Sequence, residues 1–333
     1  MAVPTISLQN GKKMPLLGLG TFLASNEKEL EVALNTAFEA GYRHIDTAYF
    51  YQNEHVIGKV LKEWIDSGKV KREDFFIVTK LPGIGLSPEK AAYFLNKSLE
   101  SLQLSYVDLY LIHTPFGFKY VNDKTLVPTT STGQSDLDLD TDLEAIWKAL
   151  ETQVDAGKVK SLGISNFNEE QAQRIVNIAR HKPVNQQVEL HAYFQQKPLR
   201  EMMRKLGISV TAYAPFGSPG RKAFYESRGV KFESNGLLED PIVTKIAQKH
   251  NKTNGQILLR FLAQQGINVI PKSVTPTRIQ QNIQIFDFQL TPEEMKELED
   301  LDQGPVGRSI DFLGFKGVQN HPEYPFQLVT KSN

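Results

Sequence analysis

Four polar side chains lie at or just beyond the ends of three successive predicted β-strands. Asp46 ends one strand, Tyr51 follows it closely, Lys80 ends the next strand, and His113 ends the third. If the strands are parallel strands of one barrel, their carboxyl ends meet on one face, so all four side chains are expected to lie together. Lys80 ends an otherwise apolar run, where an unpaired charge would be costly, and Asp46 is its expected partner. We refer to these four residues as the tetrad.

The tetrad suits the donation of a proton to a developing alkoxide. A phenol has a reference pKa of about 10, and a nearby ammonium lowers that pKa because it favours the phenolate. We therefore expect Lys80 to lower the pKa of Tyr51 toward neutrality, while Asp46 keeps Lys80 charged and oriented. His113 would hold the substrate oxygen by a hydrogen bond. The alternative, which these residues leave open, is a structural ion pair beside an ordinary tyrosine and a satisfied histidine.

A second cluster follows the last predicted strand. Lys272, Ser273 and Arg278 lie between that strand and a helix, where barrels commonly bind phosphate. Two cations and nearby hydroxyls suit a phosphate monoester, as on the ribose of NADP, better than the hydroxyl of NAD. The alternative is a solvated basic loop.

Other chemistries fit the sequence less well. Gly18-Leu19-Gly20 lacks the third glycine of a dinucleotide-binding fingerprint, and no HExxH motif is present. His44 and Asp46 would share one face of a strand, but Lys80 at the same place would repel a cation, so we expect no metal. Asp46 and Glu189 could form a glycosidase pair, although Asp46 is better explained by Lys80.

Eight short apolar runs alternate with amphipathic segments, a pattern typical of parallel strands joined by helices. We predict a (β/α)₈ TIM barrel of the α/β class, formed by residues 1–333 as a single domain. Asn10-Gly11 predicts an N-terminal β-hairpin that plugs one barrel end. The predicted barrel strands are Leu16–Gly20, Arg43–Asp46, Phe76–Lys80, Val107–His113, Leu162–Ser165, Asn185–Glu189, Ser209–Tyr213 and Val269–Pro271.

Three long stretches interrupt this alternation: Thr114–Asp140, Ala214–Leu238 and Gly304–Asn333. Loops of such length in a compact chain are usually functional. The first two follow strands directly, so we expect them on the carboxyl-terminal face of the barrel, where barrel enzymes build their active sites.

Composition narrows the classes of partner. The 333 residues include 38 basic and 38 acidic side chains, so no overall charge attracts nucleic acid or an anionic membrane. The absence of cysteine excludes disulfides and thiolate catalysis. We find no signal-peptide pattern and no apolar run of about 20 residues, and we expect a cytoplasmic monomer that binds a small molecule.

Motifs along most of the chain resemble those of the aldo-keto reductases. The matching segments, in the order that the family has them, are Gly41–Ala48, Leu109–His113, Gly163–Phe167 and Ile270–Ser273. The resemblance implies a reductase that transfers hydride from NADPH to an aldehyde or ketone, with Tyr51 as the proton donor. A cofactor-binding barrel that acts as a sensor or subunit without turnover is the alternative.

The resemblance also assigns further residues. It implies that Ser165, Asn166 and Gln187 hold the nicotinamide amide, and that Tyr213 stacks on the ring. Other implied cofactor contacts are Gly20, Thr21, Phe22, Phe216 and Ser218 along the cofactor, Lys272, Ser273 and Arg278 at the ribose phosphate, and Asn282 at adenine.

The substrate pocket departs from that of mammalian aldose-reductase-like members, which carry tryptophan where this chain has Phe22 and Thr114. The chain looks most similar to insect members, some of which reduce 3-dehydroecdysone, so a hydrophobic or steroid ketone is implied. The residues expected to contact the substrate are Phe22, Phe50, Thr114, Phe116 and Phe312, and the alternative for each phenylalanine is packing in the core.

Overall fold

Short buried strands and amphipathic helices alternate along the chain, as the apolar pattern predicts. The computed structural model describes residues 3–227, 229 and 234–328. Its strands are β1 (Thr5–Ser7), β2 (Lys13–Pro15), β3 (Leu19–Gly20), β4 (His44–Asp46), β5 (Phe76–Leu81), β6 (Leu109–Ile112), β7 (Gly117–Phe118), β8 (Leu137–Asp138), β9 (Leu162–Ser165), β10 (Asn185–Glu189), β11 (Ser209–Tyr213) and β12 (Asn268–Val269).

Eight of these strands form one parallel sheet in the order β12-β11-β10-β9-β6-β5-β4-β3. The sheet closes because parallel bridges join Leu17 to Val269 and Gly20 to Lys272. Closure requires glycine at position 20, since a Cβ atom there would lie 2.7 Å from the carbonyl oxygen of Ile270. The predicted (β/α)₈ barrel is therefore confirmed.

The helices place their apolar stripes against the barrel. Leu95, Leu99 and Leu102 are all buried on one helix, and Thr291 caps another helix through a capping box with Glu294. The helices are α1 (Glu27–Ala40), α2 (Glu54–Asp66), α3 (Pro88–Leu102), α4 (Leu143–Asp155), α5 (Glu169–Ile178), α6 (Lys197–Lys205), α7 (Lys222–Glu226), α8 (Pro241–His250), α9 (Asn254–Ala263), α10 (Pro276–Ile283) and α11 (Pro292–Glu299). Among the residues described, no helix is both long and apolar enough to cross a membrane.

The N-terminal hairpin, β1 and β2, covers the amino-terminal end of the barrel. Met14 is fully buried and belongs to the apolar cluster that fills this end with side chains of β5 and β6. The Asn10 amide donates a hydrogen bond of 2.9 Å to the Ser161 hydroxyl, which fixes the hairpin tip to the barrel rim.

The three long stretches contain more structure than the sequence predicts. Residues 114–140 hold the antiparallel pair β7 and β8, and residues 214–238 hold the short helix α7. Residues 228 and 230–233 of the second stretch and 329–333 of the third lie outside the described residues. We refer to residues 304–328 as the C-terminal segment.

Candidate active site

The barrel brings the four tetrad side chains to its carboxyl-terminal face. Asp46 ends β4, Tyr51 ends the 3₁₀ turn that follows, Lys80 lies near the end of β5, and His113 directly follows β6. A cavity of about 920 Å³ opens here, and Asp46, Tyr51 and His113 contribute to its lining. Lys80 lies behind this lining with no exposed surface.

Lys80 is held by three oxygen atoms. Its Nζ lies 2.6 Å from Asp46 Oδ1, 2.9 Å from the carbonyl oxygen of Thr47, and 3.2 Å from the hydroxyl oxygen of Tyr51. An ammonium has three hydrogens to donate, so each can reach an acceptor. The second Asp46 oxygen accepts a hydrogen bond of 2.7 Å from Gln187 Nε2. The expected pair between Lys80 and Asp46 is therefore present, with the phenol beside it.

The pKa of Tyr51 moves in the direction opposite to the one expected from sequence. Burial of the hydroxyl raises the pKa well above its ordinary value of 10, the charge of Asp46 raises it further, and Arg221 opposes both. Loss of water disfavours the phenolate. In the free protein Tyr51 is consequently a protonated phenol throughout the physiological pH range.

His113 is neutral for a similar reason. Burial, followed by the positive charge of Lys80, lowers the pKa of this imidazole well below its ordinary value of 6.5. Its ring packs edge-on against the ring of Tyr51, with 5.6 Å between centroids. A neutral imidazole has one N–H donor, which suits a hydrogen bond to a carbonyl oxygen.

The four residues expected around the nicotinamide form one hydrogen-bonded group beside the tetrad. The Tyr213 hydroxyl donates to Asn166 Oδ1 at 2.6 Å, and Asn166 Nδ2 donates to the Ser165 hydroxyl at 3.1 Å and to the carbonyl oxygen of His113 at 2.8 Å. The Ser165 hydroxyl donates to the carbonyl oxygen of Gln187 at 2.9 Å. All four side chains contribute to the lining of the cavity.

The residues expected at the ribose phosphate lie where the cavity reaches the segment after β12. Lys272 and Ser273 precede α10, and Arg278 lies in its first turn. Among the described residues, neither Lys272 nor Arg278 has a carboxylate within 4.0 Å. The cavity lining also includes the remaining expected cofactor contacts, which are Gly20, Thr21, Phe22, Phe216, Ser218 and Asn282.

Comparison with known proteins agrees with this geometry. The sequence profile of the Aldo/keto reductase family matches residues 16–303. The chain belongs to the aldo-keto reductase family. It is 43% identical to Aldo-keto reductase family 1 member D1 of Mus musculus and 42% identical to Dihydrodiol dehydrogenase 3 of Bos taurus, and each alignment covers 96% of this chain and at least 96% of the relative. The solved structure of the aldose reductase from Schistosoma japonicum superposes with a TM-score of 0.87 at 42% identity, covering 98% of this chain and 99% of the other. The chain is therefore an oxidoreductase.

Aromatic side chains wall the part of the cavity nearest the tetrad of this aldo-keto reductase. Phe22, Phe50, Thr114 and Phe312, which were expected to contact the substrate, all contribute to the lining. Phe116 does not, since its side chain is fully buried and packs among other aromatic rings, and its contact with the substrate stays a prediction. The lining also includes residues that sequence reasoning missed, namely Phe118, Arg221, Phe224, Ile310 and Phe315. All five lie in the long stretches, where no regular period indicates which side chains face inward.

Glu189 has a structural role in this aldo-keto reductase. It ends β10, is buried, and accepts hydrogen bonds from the backbone N–H groups of Ser309 at 2.7 Å and Ile310 at 2.8 Å. His191 Nε2 lies 3.0 Å from the same carboxylate. Burial pushes the pKa of Glu189 upward, but His191, the Ser309 N–H and the charge of Arg308 together take it below its ordinary value. Glu189 thus fixes the C-terminal segment to the barrel, and it is not free to pair with Asp46 as in a glycosidase.

Proposed function

We propose that this aldo-keto reductase reduces aldehydes and ketones to alcohols with NADPH, and that Tyr51 donates the proton. The observation that carries the proposal is the 3.2 Å contact between Lys80 Nζ and the Tyr51 hydroxyl at the edge of a large cavity. Carbonyl reduction and the use of nicotinamide cofactors are general properties of the family. Our proposal adds three points for this chain: the cofactor is NADPH, the acid is Tyr51, and the substrate belongs to the class described below.

The residues of the cavity fit a phosphorylated dinucleotide. Lys272, Ser273 and Arg278 offer two cations and a hydroxyl at the N-terminal end of α10, which suits a ribose phosphate. Ser165, Asn166 and Gln187 would hold the nicotinamide carboxamide, with Tyr213 against the ring. When bound, NADPH would supply the hydride that reduces the carbonyl carbon.

The residues of the chain account for the other half of the reaction. The neutral His113 would donate a hydrogen bond that orients the carbonyl oxygen, and Tyr51 would protonate this oxygen as negative charge develops on it. Lys80 would then stabilise the phenolate that the proton leaves behind. Asp46 Oδ1 holds the Lys80 ammonium at 2.6 Å, and Gln187 fixes Asp46 through a hydrogen bond to its second carboxylate oxygen.

The walls of the cavity favour a hydrophobic substrate. Phe22, Phe50, Phe118, Phe312 and Phe315 all contribute to the lining, and such walls suit an extended apolar carbonyl compound. We propose hydrophobic or steroid ketones, such as 3-dehydroecdysone, as the substrate class. We further propose that the chain folds as a single domain and acts as a monomer in the cytoplasm.

Replacement of the acid tests the proposal. Tyr51→Phe should lower kcat for reduction of an aromatic aldehyde by at least about 100-fold, since general acids contribute about 10²- to 10⁴-fold. NADPH affinity, measured by quenching of protein fluorescence, should stay within about twofold, because the cofactor contacts remain.

Tyr49→Phe is the matched control, because Tyr49 lies in the same turn but donates instead to the carbonyl oxygen of Asp123 at 3.3 Å. Full activity of Tyr51→Phe would refute the assigned acid. Stopped-flow mixing of the NADPH complex of the wild type with an aldehyde panel separates a reductase from a barrel that only binds cofactor, since only the former oxidises the bound NADPH.

A further inference from the structure

The charged residues that line the cavity differ in whether they have a partner. Asp46 is paired with Lys80, and the proposed function assigns Lys272 and Arg278 to the ribose phosphate. Arg221 is the fourth charged residue in the described part of the lining. The function proposed above gives it no role.

Arg221 lies over aromatic rings, and none of the described acids is beside it. Its guanidinium carbon is 5.5 Å from the ring centroid of Phe22, 5.5 Å from that of Phe224 and 4.9 Å from that of Tyr225. Within the described ranges, no carboxylate lies within 4.0 Å of it, and its buried Nε has no hydrogen-bond acceptor. A donor without an acceptor is costly when water cannot reach it. A ligand with an anionic group would remove that cost.

The position of Arg221 points to the substrate end of the cavity. The Phe22 ring is in contact with the catalytic phenol, with 5.0 Å between the centroids of Phe22 and Tyr51. The guanidinium carbon of Arg221 lies 5.5 Å from the centroid of the same Phe22 ring. One aromatic ring therefore lies in contact with both the guanidinium and the phenol. The charge of Arg221 also acts on the phenol, since it lowers the pKa of Tyr51 against the effect of burial. The cations expected at the ribose phosphate lie instead on the segment after β12.

Resting on the proposed function, we infer that Arg221 is a specificity-determining residue that binds an anionic group on the substrate. Within the hydrophobic substrate class proposed above, carbonyl compounds with a carboxylate or similar anion would then be preferred over neutral ones such as 3-dehydroecdysone. The aromatic walls would hold the apolar body, the tetrad would hold the carbonyl, and the guanidinium would pair with the anion.

Two aldehydes of nearly the same shape test this inference. 4-Carboxybenzaldehyde carries a carboxylate, whereas methyl 4-formylbenzoate is neutral. The wild type should show the higher kcat/KM for the carboxylate. Arg221→Met should lower kcat/KM for the carboxylate by about 10- to 100-fold more than for the ester, the usual range for a hydrogen bond to a charged group, because only the carboxylate loses an ionic partner. Arg221→Lys should restore part of the preference, because it keeps the charge.

Lys222→Met is the matched control, since Lys222 is the neighbouring cation but is exposed and lies 3.8 Å from Glu226. It should leave both aldehydes unaffected. If Arg221→Met lowers kcat/KM equally for the two aldehydes, or weakens NADPH binding to the same extent, Arg221 serves the cofactor or the fold and the inference is wrong.

A binding measurement keeps this test independent of turnover. Calorimetry on the NADP⁺ complex measures the affinity for 4-(hydroxymethyl)benzoate and for its methyl ester. The wild type should bind the benzoate about tenfold more tightly than the ester. Arg221→Met should bind the two compounds equally. If neither aldehyde is reduced, the proposed function fails, and the calorimetry still decides on Arg221. Equal affinity of the wild type for the acid and the ester would overturn the inference.

Discussion

At the scale of the residue, a buried carboxyl group behind the tetrad is coupled to Lys80. Glu54 is the first residue of α2, is 4% exposed, and accepts a hydrogen bond of 2.5 Å from the Thr79 hydroxyl. Burial raises the pKa of Glu54 to about 7, although the Thr79 hydroxyl and the charge of Lys80 oppose this effect. Burial also lowers the pKa of Lys80, while the charges of Asp46 and Glu54 raise it. An ionised Glu54 therefore helps Lys80 to keep its proton.

This coupling predicts the pH dependence of catalysis. Glu54 ionises above about pH 7, and its negative charge then favours the ammonium form of Lys80. Glu54→Gln removes that charge, so the alkaline fall in kcat/KM should move to lower pH while the value at pH 6 stays nearly the same. The measurement is kcat/KM for methyl 4-formylbenzoate from pH 5.5 to 10 at saturating NADPH.

Asp108→Asn is the control for this profile, because burial also raises the pKa of Asp108, but Asp108 pairs with Arg72 away from Lys80. An unchanged alkaline limb in Glu54→Gln would disprove the coupling.

The tetrad was predicted from sequence because each member lies at or near a strand end, and barrel geometry brings such ends together. The pKa of Tyr51 was predicted in the wrong direction. The sequence shows that Lys80 can approach the phenol, but it does not show how much water the surrounding side chains remove. Desolvation depends on the complete packing around a group and is therefore known only from the structure.

At the scale of the element, the C-terminal segment forms part of the pocket wall but contains no long helix or strand among its described residues. It contributes Ile310, Phe312 and Phe315 to the cavity lining. The carboxylate of Glu189 holds it to the end of β10 through two backbone N–H groups. This connection predicts that Glu189 is a positioning residue for the substrate.

Glu189→Gln tests the connection. A carboxamide offers one acceptor oxygen in place of two, so one backbone N–H should lose its partner and the segment should loosen. We expect KM for methyl 4-formylbenzoate to rise by about tenfold, with little change in kcat or in NADPH affinity. Hydrogen exchange should become faster at residues 304–328.

Glu151→Gln is the control for the substitution itself, because Glu151 is also buried, but one of its oxygens, Oε1, accepts from both backbone N–H groups, those of Arg180 and His181, so that a carboxamide can keep both bonds. It belongs to α4 and does not contribute to the cavity lining. An equal rise in KM in both variants would indicate a general loss of stability and would rule out the positioning role.

The elements themselves were predictable to different degrees. The predicted bounds of β9, β10 and β11 are confirmed, because each is a short segment between two clear helical patterns. The first and last barrel strands are shorter than predicted, since bridges between single residues, such as Leu17 and Val269, close the barrel there. Phe116 and Phe118 lie two positions apart in one long stretch, and only the packing of β7 and β8 decides which of them reaches the cavity.

At the scale of the whole molecule, the residues that close the barrel with apolar contacts and the residues of the candidate active site lie at opposite ends of the barrel. The N-terminal hairpin closes one end with apolar side chains, and the tetrad and the cavity occupy the other. The chain has no net charge, yet the described part of the cavity lining includes three cations and one carboxylate, which is itself paired with the buried Lys80. Local placement of charge, and not the overall balance, therefore favours an anionic ligand.

This placement predicts that the barrel distinguishes NADPH from NADH through Arg278. Arg278 has no carboxylate within 4.0 Å among the described residues, so its charge is available to a ribose phosphate. Arg278→Met should weaken NADPH binding by about 10- to 100-fold and NADH binding by less than about twofold, because only NADPH carries the phosphate. Dissociation constants from fluorescence quenching at two salt concentrations measure both effects, and the salt dependence of NADPH binding should decrease in the variant.

Arg204→Met, which removes an exposed arginine paired with Glu201 on α6, should change neither constant. An equal loss of affinity for the two cofactors would show that Arg278 does not contact the phosphate, and the preference for NADPH would then need another origin.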